Sequence, residues 1–255
     1  MRVVGVIDVV DGRAVHAVGG RRSGYQPVRS AAGRATDGDP LALARAYVEA
    51  FDLRELYMAD LDAIAGASPQ TEVVSRLAAT GASLWVDAAV AGPDAALRLL
   101  SNGAAAVVVG LETLPSFDAL DAISHAVAPR QLVFSLDLKD GVPVVPAGFE
   151  MRGAAGPGAP EAIAARAVDH GAGAVIVLDL ARVGTDRGPD LDLVCRVRGA
   201  VPDVELYAGG GVRSLDDLRN LAGAGCDGAL VATALHAGRL TGADVAALRA
   251  RAAAR

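Results

Sequence analysis

Short β-branched apolar runs alternate with alanine- and leucine-rich stretches along the whole chain. The runs Val3–Val9, Glu55–Ala59, Ser83–Asp87, Ala105–Gly110, Gln131–Asp137, Ala174–Asp179, Glu205–Ala208 and Gly228–Ala232 predict strands. Most are apolar at nearly every position, the pattern of strands buried on both faces of a parallel sheet. The segments between them predict helices at Pro40–Phe51, Gln70–Thr80, Pro93–Asn102, Ser116–Val127, Ala159–His170, Asp190–Gly199, Ser214–Ala224 and Thr241–Ala254. Eight strand–helix units of about 32 residues predict an α/β fold, a single (β/α)8 barrel spanning residues 1–255. A doubly wound open sheet has the same alternation, but the GxGxxG turn expected after its first strand is missing.

The units repeat in two sets of four. Ile7-Asp8-Val9-Val10-Asp11-Gly12 at the first strand matches Leu136-Asp137-Leu138-Lys139-Asp140-Gly141 at the fifth. Val90 to Leu114 aligns with Val212 to His236 at an offset of 122 residues. Two half-barrels are expected, about 1–127 and 128–255, with Asp8 and Asp137 on opposite sides of one mouth.

Composition narrows the function. Hydrophobic residues make up 52% of the 255 and charged residues 21%, enough for a sizeable core. The net charge of −6 argues against a nucleic-acid partner, which would need clustered positive charge. No apolar run approaches the ~20 residues of a membrane span, and the first ends at Asp8, too early for a signal peptide. Cys195 and Cys226 make neither a disulfide framework nor a zinc cluster. A soluble, cytoplasmic protein is expected. Lys139 is the only lysine among 24 basic residues. Against so strong an arginine bias it reads either as a needed amine or as a chance surface residue.

Active sites of such barrels lie at the C-terminal ends of the strands. Asp8 and Asp137 each close a strand there, as an acid–base pair or as caps of the following loops. Tyr207-Ala208-Gly209-Gly210-Gly211-Val212-Arg213-Ser214 follows a strand and opens a helix, a place for backbone amides to meet a phosphate; a tight turn is the plainer reading. Ala232 and Thr233 sit in the partner segment, where the threonine adds a hydroxyl. His16, Arg21, Arg22 and Tyr25 follow the first strand, as an anion-clamping loop or a solvated one. Asp60, Asp87 and Asp179 end the second, third and sixth strands and join the substrate-binding candidates, as do Lys139 and His236. No spacing of His, Cys and Asp suggests a metal site, and no cofactor is called for.

These residues in this order resemble the barrels of histidine biosynthesis. The closer likeness is to the phosphoribosylformimino-aminoimidazole-carboxamide ribotide isomerase, the lesser to the cyclase subunit of imidazole glycerol phosphate synthase. It runs through Ile7-Asp8, Tyr57-Met58-Ala59-Asp60-Leu61-Asp62, Ser135-Leu136-Asp137, Arg182-Val183-Gly184-Thr185, Ala208-Gly209-Gly210-Gly211-Val212 and Ala234-Leu235. The resemblance implies a TIM barrel acting on a phosphorylated small molecule by an aminoaldose–aminoketose isomerisation. Asp8 would match the family's general base and Asp137 its general acid. Gly209 to Gly211 with Ala232-Thr233 would match one phosphate clamp. The family's other clamp is a glycine cluster after strand three, where this chain has Asp87-Ala88-Ala89; Leu178 replaces a threonine before the acidic residue of strand six. In these departures the chain is similar to an isomerase-related branch found with genes of tetrahydromethanopterin-type one-carbon metabolism. A lyase or cyclase reaction, and a non-catalytic phosphate-binding partner subunit, are the other readings.

Overall fold

The computed structural model describes residues 1–19, 24–149 and 158–253, the last four as backbone only. Eight parallel strands follow one another around a ring: β1 (Arg2–Val10), β2 (Glu55–Asp60), β3 (Ser83–Asp87), β4 (Ala106–Gly110), β5 (Leu132–Lys139), β6 (Ala174–Asp179), β7 (Glu205–Gly209) and β8 (Gly228–Val231). Pairing of Arg2–Gly5 with Gly228–Val231 closes the ring. Helices α1 (Pro40–Phe51), α2 (Thr71–Ala78), α3 (Pro93–Ser101), α4 (Phe117–Ala126), α5 (Pro160–Asp169), α6 (Leu191–Ala200), α7 (Leu215–Gly223) and α8 (Gly242–Ala253) alternate with the strands. This is the TIM barrel that the alternation predicts.

The element boundaries have local causes. Expected helix starts at Ser116, Asp190 and Ser214 are N-caps: each side chain accepts a hydrogen bond from the amide three residues on. β1 and β5 run past the barrel rim into antiparallel hairpins, β1 with Arg13–His16 and β5 with Val142–Pro143. Both turns pair an aspartate with a glycine at positive φ: Asp11 at 47° with Gly12 at 70°, and Asp140 at 52° with Gly141 at 77°. That is the conformation that tight two-residue hairpins need, and glycine meets it without strain. The two matched Asp-Gly segments therefore share a backbone geometry.

Two apolar shells follow from the period-2 alternation of the strands. Val3, Ile7, Val9, Leu56, Met58, Leu84, Val86, Phe134 and Leu136 face outward against the helices. Val4, Tyr57, Trp85, Val108, Val133, Ile176, Tyr207 and Leu230 fill the barrel itself. Trp85 on β3 meets Tyr207 on β7 edge-on, with ring centres 4.8 Å apart, and the Arg2 guanidinium lies 5.0 Å from the Tyr207 ring. The barrel floor is thus a packed core, and any open space lies above it.

Trp85→Ala should remove the largest side chain of that floor. Its expected cost is about 3–5 kcal/mol, typical of truncating a buried aromatic, read as a lowered urea midpoint by circular dichroism.

Candidate active site

Above the floor, at the C-terminal ends of the strands, a cavity opens to solvent. The same alternation that builds the two shells decides which strand-end residues reach it. Asp8, Asp87 and Asp137 share the inward register of Val4, Trp85 and Val133, and all three line the cavity. Asp8 and Asp137, on β1 and β5, stand half a ring apart. Neither is turned away as a loop cap.

Their surroundings differ. Asp8 stays partly accessible through the cavity, and among the described residues nothing donates a hydrogen bond to its carboxylate. Burial pushes it up from the ordinary 3.8 to about 7. Asp137 is 3% exposed. It accepts from the Ser135 hydroxyl at 2.6 Å and the Glu112 amide at 3.2 Å. Burial first, then the neighbouring Asp87 and Glu112, hold it well above the usual carboxylate range. Asp87 accepts from the Tyr57 hydroxyl at 3.3 Å and is raised to about 7, by burial and then by Glu112.

The β7–β8 side supplies the other chemistry. Gly210 and Gly211 line the cavity at φ 90° and 87°, and a Cβ on either would strike backbone: Asp179 O at 2.5 Å, Gly188 O at 2.6 Å. Only glycine fits that turn. Ala232, Thr233 and Arg239 line the same wall, and Arg239 pairs with Asp186 at 2.6 Å. Gly209 lies lower, packed against Leu178 and outside the cavity lining. His16 does not line the cavity either, but its Nε2 lies 2.9 Å from the Thr233 hydroxyl, so it supports the wall from behind. Tyr25 is at the mouth; Arg21 and Arg22 lie outside the described residues. The loop after β1 is tied to that after β6 by Gly19 N donating to Val183 O at 2.8 Å.

Four expected site residues are placed elsewhere. Asp60 and Asp179 have the outward register of Met58 and Val177. Asp60 accepts from the Ala63 amide and from the amide and side chain of Gln70; Asp179 accepts from the amides of Asp140 and Ala181 and from Arg182. Both organise loops and line no part of the cavity. Lys139 sits beyond the rim in the β5 hairpin, exposed to solvent. His236 turns into a separate recess, stacked on Tyr47 and hydrogen-bonded to its hydroxyl. Burial, and then His16, lower it to about 4 and keep it neutral.

Tyr57, Glu112 and Arg239 line the cavity without having been singled out as candidates. Tyr57 shares the inward register of Ala59, a signal available once one strand is oriented. Glu112 lies in the repeated stretch, opposite Ala234 at the 122-residue offset. Arg239 lies beyond that stretch, and no sequence pattern marks it.

Facing carboxyls over a filled floor, with a glycine turn between β7 and β8, mark the mouth of a TIM barrel of the enzyme kind. Residues 2–241 match the model of the family described as histidine biosynthesis protein, and the chain belongs to that family. It is similar to 1-(5-phosphoribosyl)-5-((5-phosphoribosylamino)methylideneamino) imidazole-4-carboxamide isomerases. That of Natronomonas pharaonis is 34% identical over 96% of this chain and 97% of its own; that of Thermus thermophilus is 34% identical over 94% and 96%. An uncharacterized protein of Methanocaldococcus jannaschii is 26% identical over 94% of this chain and 95% of its own. Among the described residues no helix is long and apolar enough to cross a membrane.

The raised carboxyls set the sign of the pH dependence of stability. A group raised from 3.8 to about 7 binds more protons folded than unfolded between those values. Their contribution to stability should therefore fall as pH rises from about 4 to about 7, two such groups outweighing His236, which is lowered from 6.5 to about 4 and contributes with the opposite sign. Urea midpoints measured across this interval should decline, and Asp8→Asn should make the decline shallower.

Proposed function

We propose that this protein is an aminoaldose–aminoketose isomerase whose substrate carries one phosphate, held at Gly210, Gly211, Ala232 and Thr233. One observation carries the reading. Asp8 and Asp137 line one cavity between a glycine turn on the β7–β8 side and two carboxyls, Asp87 and Glu112, on the β3–β4 side.

The chemistry needs no external oxidant. Asp137 gives its proton to the ring oxygen as the C1–O bond breaks, and the lone pair of the attached nitrogen fills the carbon. Asp8 takes the proton from C2, leaving an enamine. Return of that proton to C1, with the C2 hydroxyl proton passing to the Asp137 carboxylate as the C2–O bond becomes a carbonyl, gives the ketose and restores both carboxyls, and the electron pair moves within the substrate throughout. The phosphate grip fixes C1 and C2 between the two carboxyls. Arg239, already on that wall, adds positive charge to the phosphate end.

The half-barrel counterpart of the glycine turn is Asp87-Ala88-Ala89, with Glu112 on the following loop. A second phosphate about 4 Å from one such charge would cost about 1 kcal/mol per unit charge in water and about 4 at an effective dielectric of ~20. A dianion roughly doubles that. The far end of the substrate is therefore neutral or cationic, and the two-phosphate compound for which the similar isomerases are named is a poor fit. Likeness to the isomerase-related branch supports one-carbon cofactor biosynthesis as the setting.

The test is a turnover screen of phosphorylated ribosyl and pterin-pathway compounds, followed by two variants on the hit. Asp8→Asn and Asp137→Asn should each lower the rate by about 10²–10⁴-fold while binding persists. Binding without turnover in the unaltered protein would select the partner-subunit reading instead. Introduced into a histidine auxotroph lacking the isomerase, the gene should restore growth poorly or not at all. Efficient rescue would overturn the one-phosphate assignment.

A further inference from the structure

β4 ends in Gly110, which faces the barrel interior between Asp87 on β3 and Asp137 on β5. A Cβ on Gly110 would stand 2.9 Å from Asp137 Oδ2 and 3.2 Å from Asp87 Oδ2. The two oxygens converge on the space that a side chain here would fill. Both residues are more than nine-tenths buried, at 4% and 3% exposure. Every hydrogen bond described to the pair comes from a neutral donor: Ser135 Oγ and Glu112 N to Asp137, Tyr57 OH and Ala89 N to Asp87. Among the described residues the ionisable groups around them are Asp8 on β1, Tyr57 and Asp60 on β2, and Glu112 after β4. From β6 and the start of its loop come Leu178 and Leu180. Among the described residues the one basic side chain lining the cavity is Arg239, on the β8 side, half a ring away.

Two ionised carboxylates so placed repel one another, and burial leaves little water to screen them. A single proton kept on the pair removes most of that cost. We propose that Asp87 and Asp137 hold one proton between them, so that Asp87 is a positioning residue that keeps Asp137 in its acid form. The arrangement belongs to this half of the barrel alone. At the 122-residue offset Asp87 corresponds to Gly209 and Gly110 to Ala232, so the phosphate side has no such pair. The proton also separates the two catalytic roles. Asp137, supplied with it, is the acid; Asp8, with no carboxyl partner across a glycine, is the base. Only this last consequence rests on the isomerase reading. The proton itself can be observed with no substrate.

The experiment is a pH titration of the aspartate carboxyl carbons by NMR, on the full chain labelled with carbon-13 aspartate. Asp87→Asn and Asp137→Asn assign the resonances. In the unaltered protein one carboxyl of the pair should remain protonated at neutral pH. In Asp87→Asn the midpoint of Asp137 should fall by about one pH unit or more, and Asp137→Asn should lower Asp87 likewise. Gly110→Ala, which forces the oxygens apart, should lower both. Two ionised carboxyls in the unaltered protein at neutral pH would overturn the proposal. So would an unmoved Asp137 midpoint in folded Asp87→Asn. Should these variants fail to fold, Asp8→Asn decides, because with the Asp8 carboxyl removed its remaining aspartates should still hold one proton at neutral pH, and none would overturn the proposal. A shared proton in a protein that isomerises nothing would leave this inference standing and remove the proposed reaction.

Discussion

Because Arg2–Gly5 pairs with Gly228–Val231, the sheet has no edge, and each strand has an inside and an outside. Closure turns the alternation of side chains into two separate environments. Outward residues pack against helices; inward residues fill a floor capped by Trp85 and Tyr207, with the cavity above. A shift of one residue in any strand would exchange the two sets. Asp8, Asp87 and Asp137 would then leave the cavity together with the apolar residues of their register, so the site is a consequence of how the ring closes.

The half-barrel repeat is kept in parts of the scaffold and broken around the cavity. Both halves begin with a strand that overruns the rim into an Asp-Gly hairpin. Both place an outward aspartate, Asp60 or Asp179, at the next strand end to gather loop amides. The symmetry fails at the cavity walls. Gly210 and Gly211 give a backbone turn open to the cavity, while the counterpart segment Asp87-Ala88-Ala89 supplies a carboxyl. Ala89 still keeps a positive φ of 55°, against 87° at Gly211. Ala88, the counterpart of Gly210, has no positive φ, so the turn is kept at one of its two positions, and a carboxyl has joined the wall.

Three carboxyls inside an apolar barrel oppose folding unless protons stay on them. Glycine at 110 lets two of them approach, and the neutral donors Ser135, Tyr57 and two backbone amides orient them without neutralising them. Asp60 shows the contrast. It is fully buried, and it accepts several hydrogen bonds in a loop. The barrel interior offers Asp87 and Asp137 fewer donors, a poor arrangement for stability and a useful one for proton transfer.

The elements, their order, the repeat and the residues of the glycine turn were legible in the chain, because strand runs, capping residues and Asp-Gly turns are local chemistry. Pro40–Phe51, Ser83–Asp87 and Ala174–Asp179 match their expected limits without change. What stayed hidden was orientation. In strands buried on both faces each side reads as apolar, so nothing in Leu-Tyr-Met-Ala-Asp or Val-Ile-Val-Leu-Asp says which register points inward. Asp60 and Asp179 therefore looked like companions of Asp8 and Asp137, and only the closed ring separated them. Lys139 shares the register of Asp137, but the hairpin carries it past the rim. The sequence alone determined an eight-fold strand–helix chain with chemistry at its strand ends. The tertiary structure decided which carboxyls meet, because meeting depends on register around a closed ring, and that is set by contacts between residues far apart in the chain.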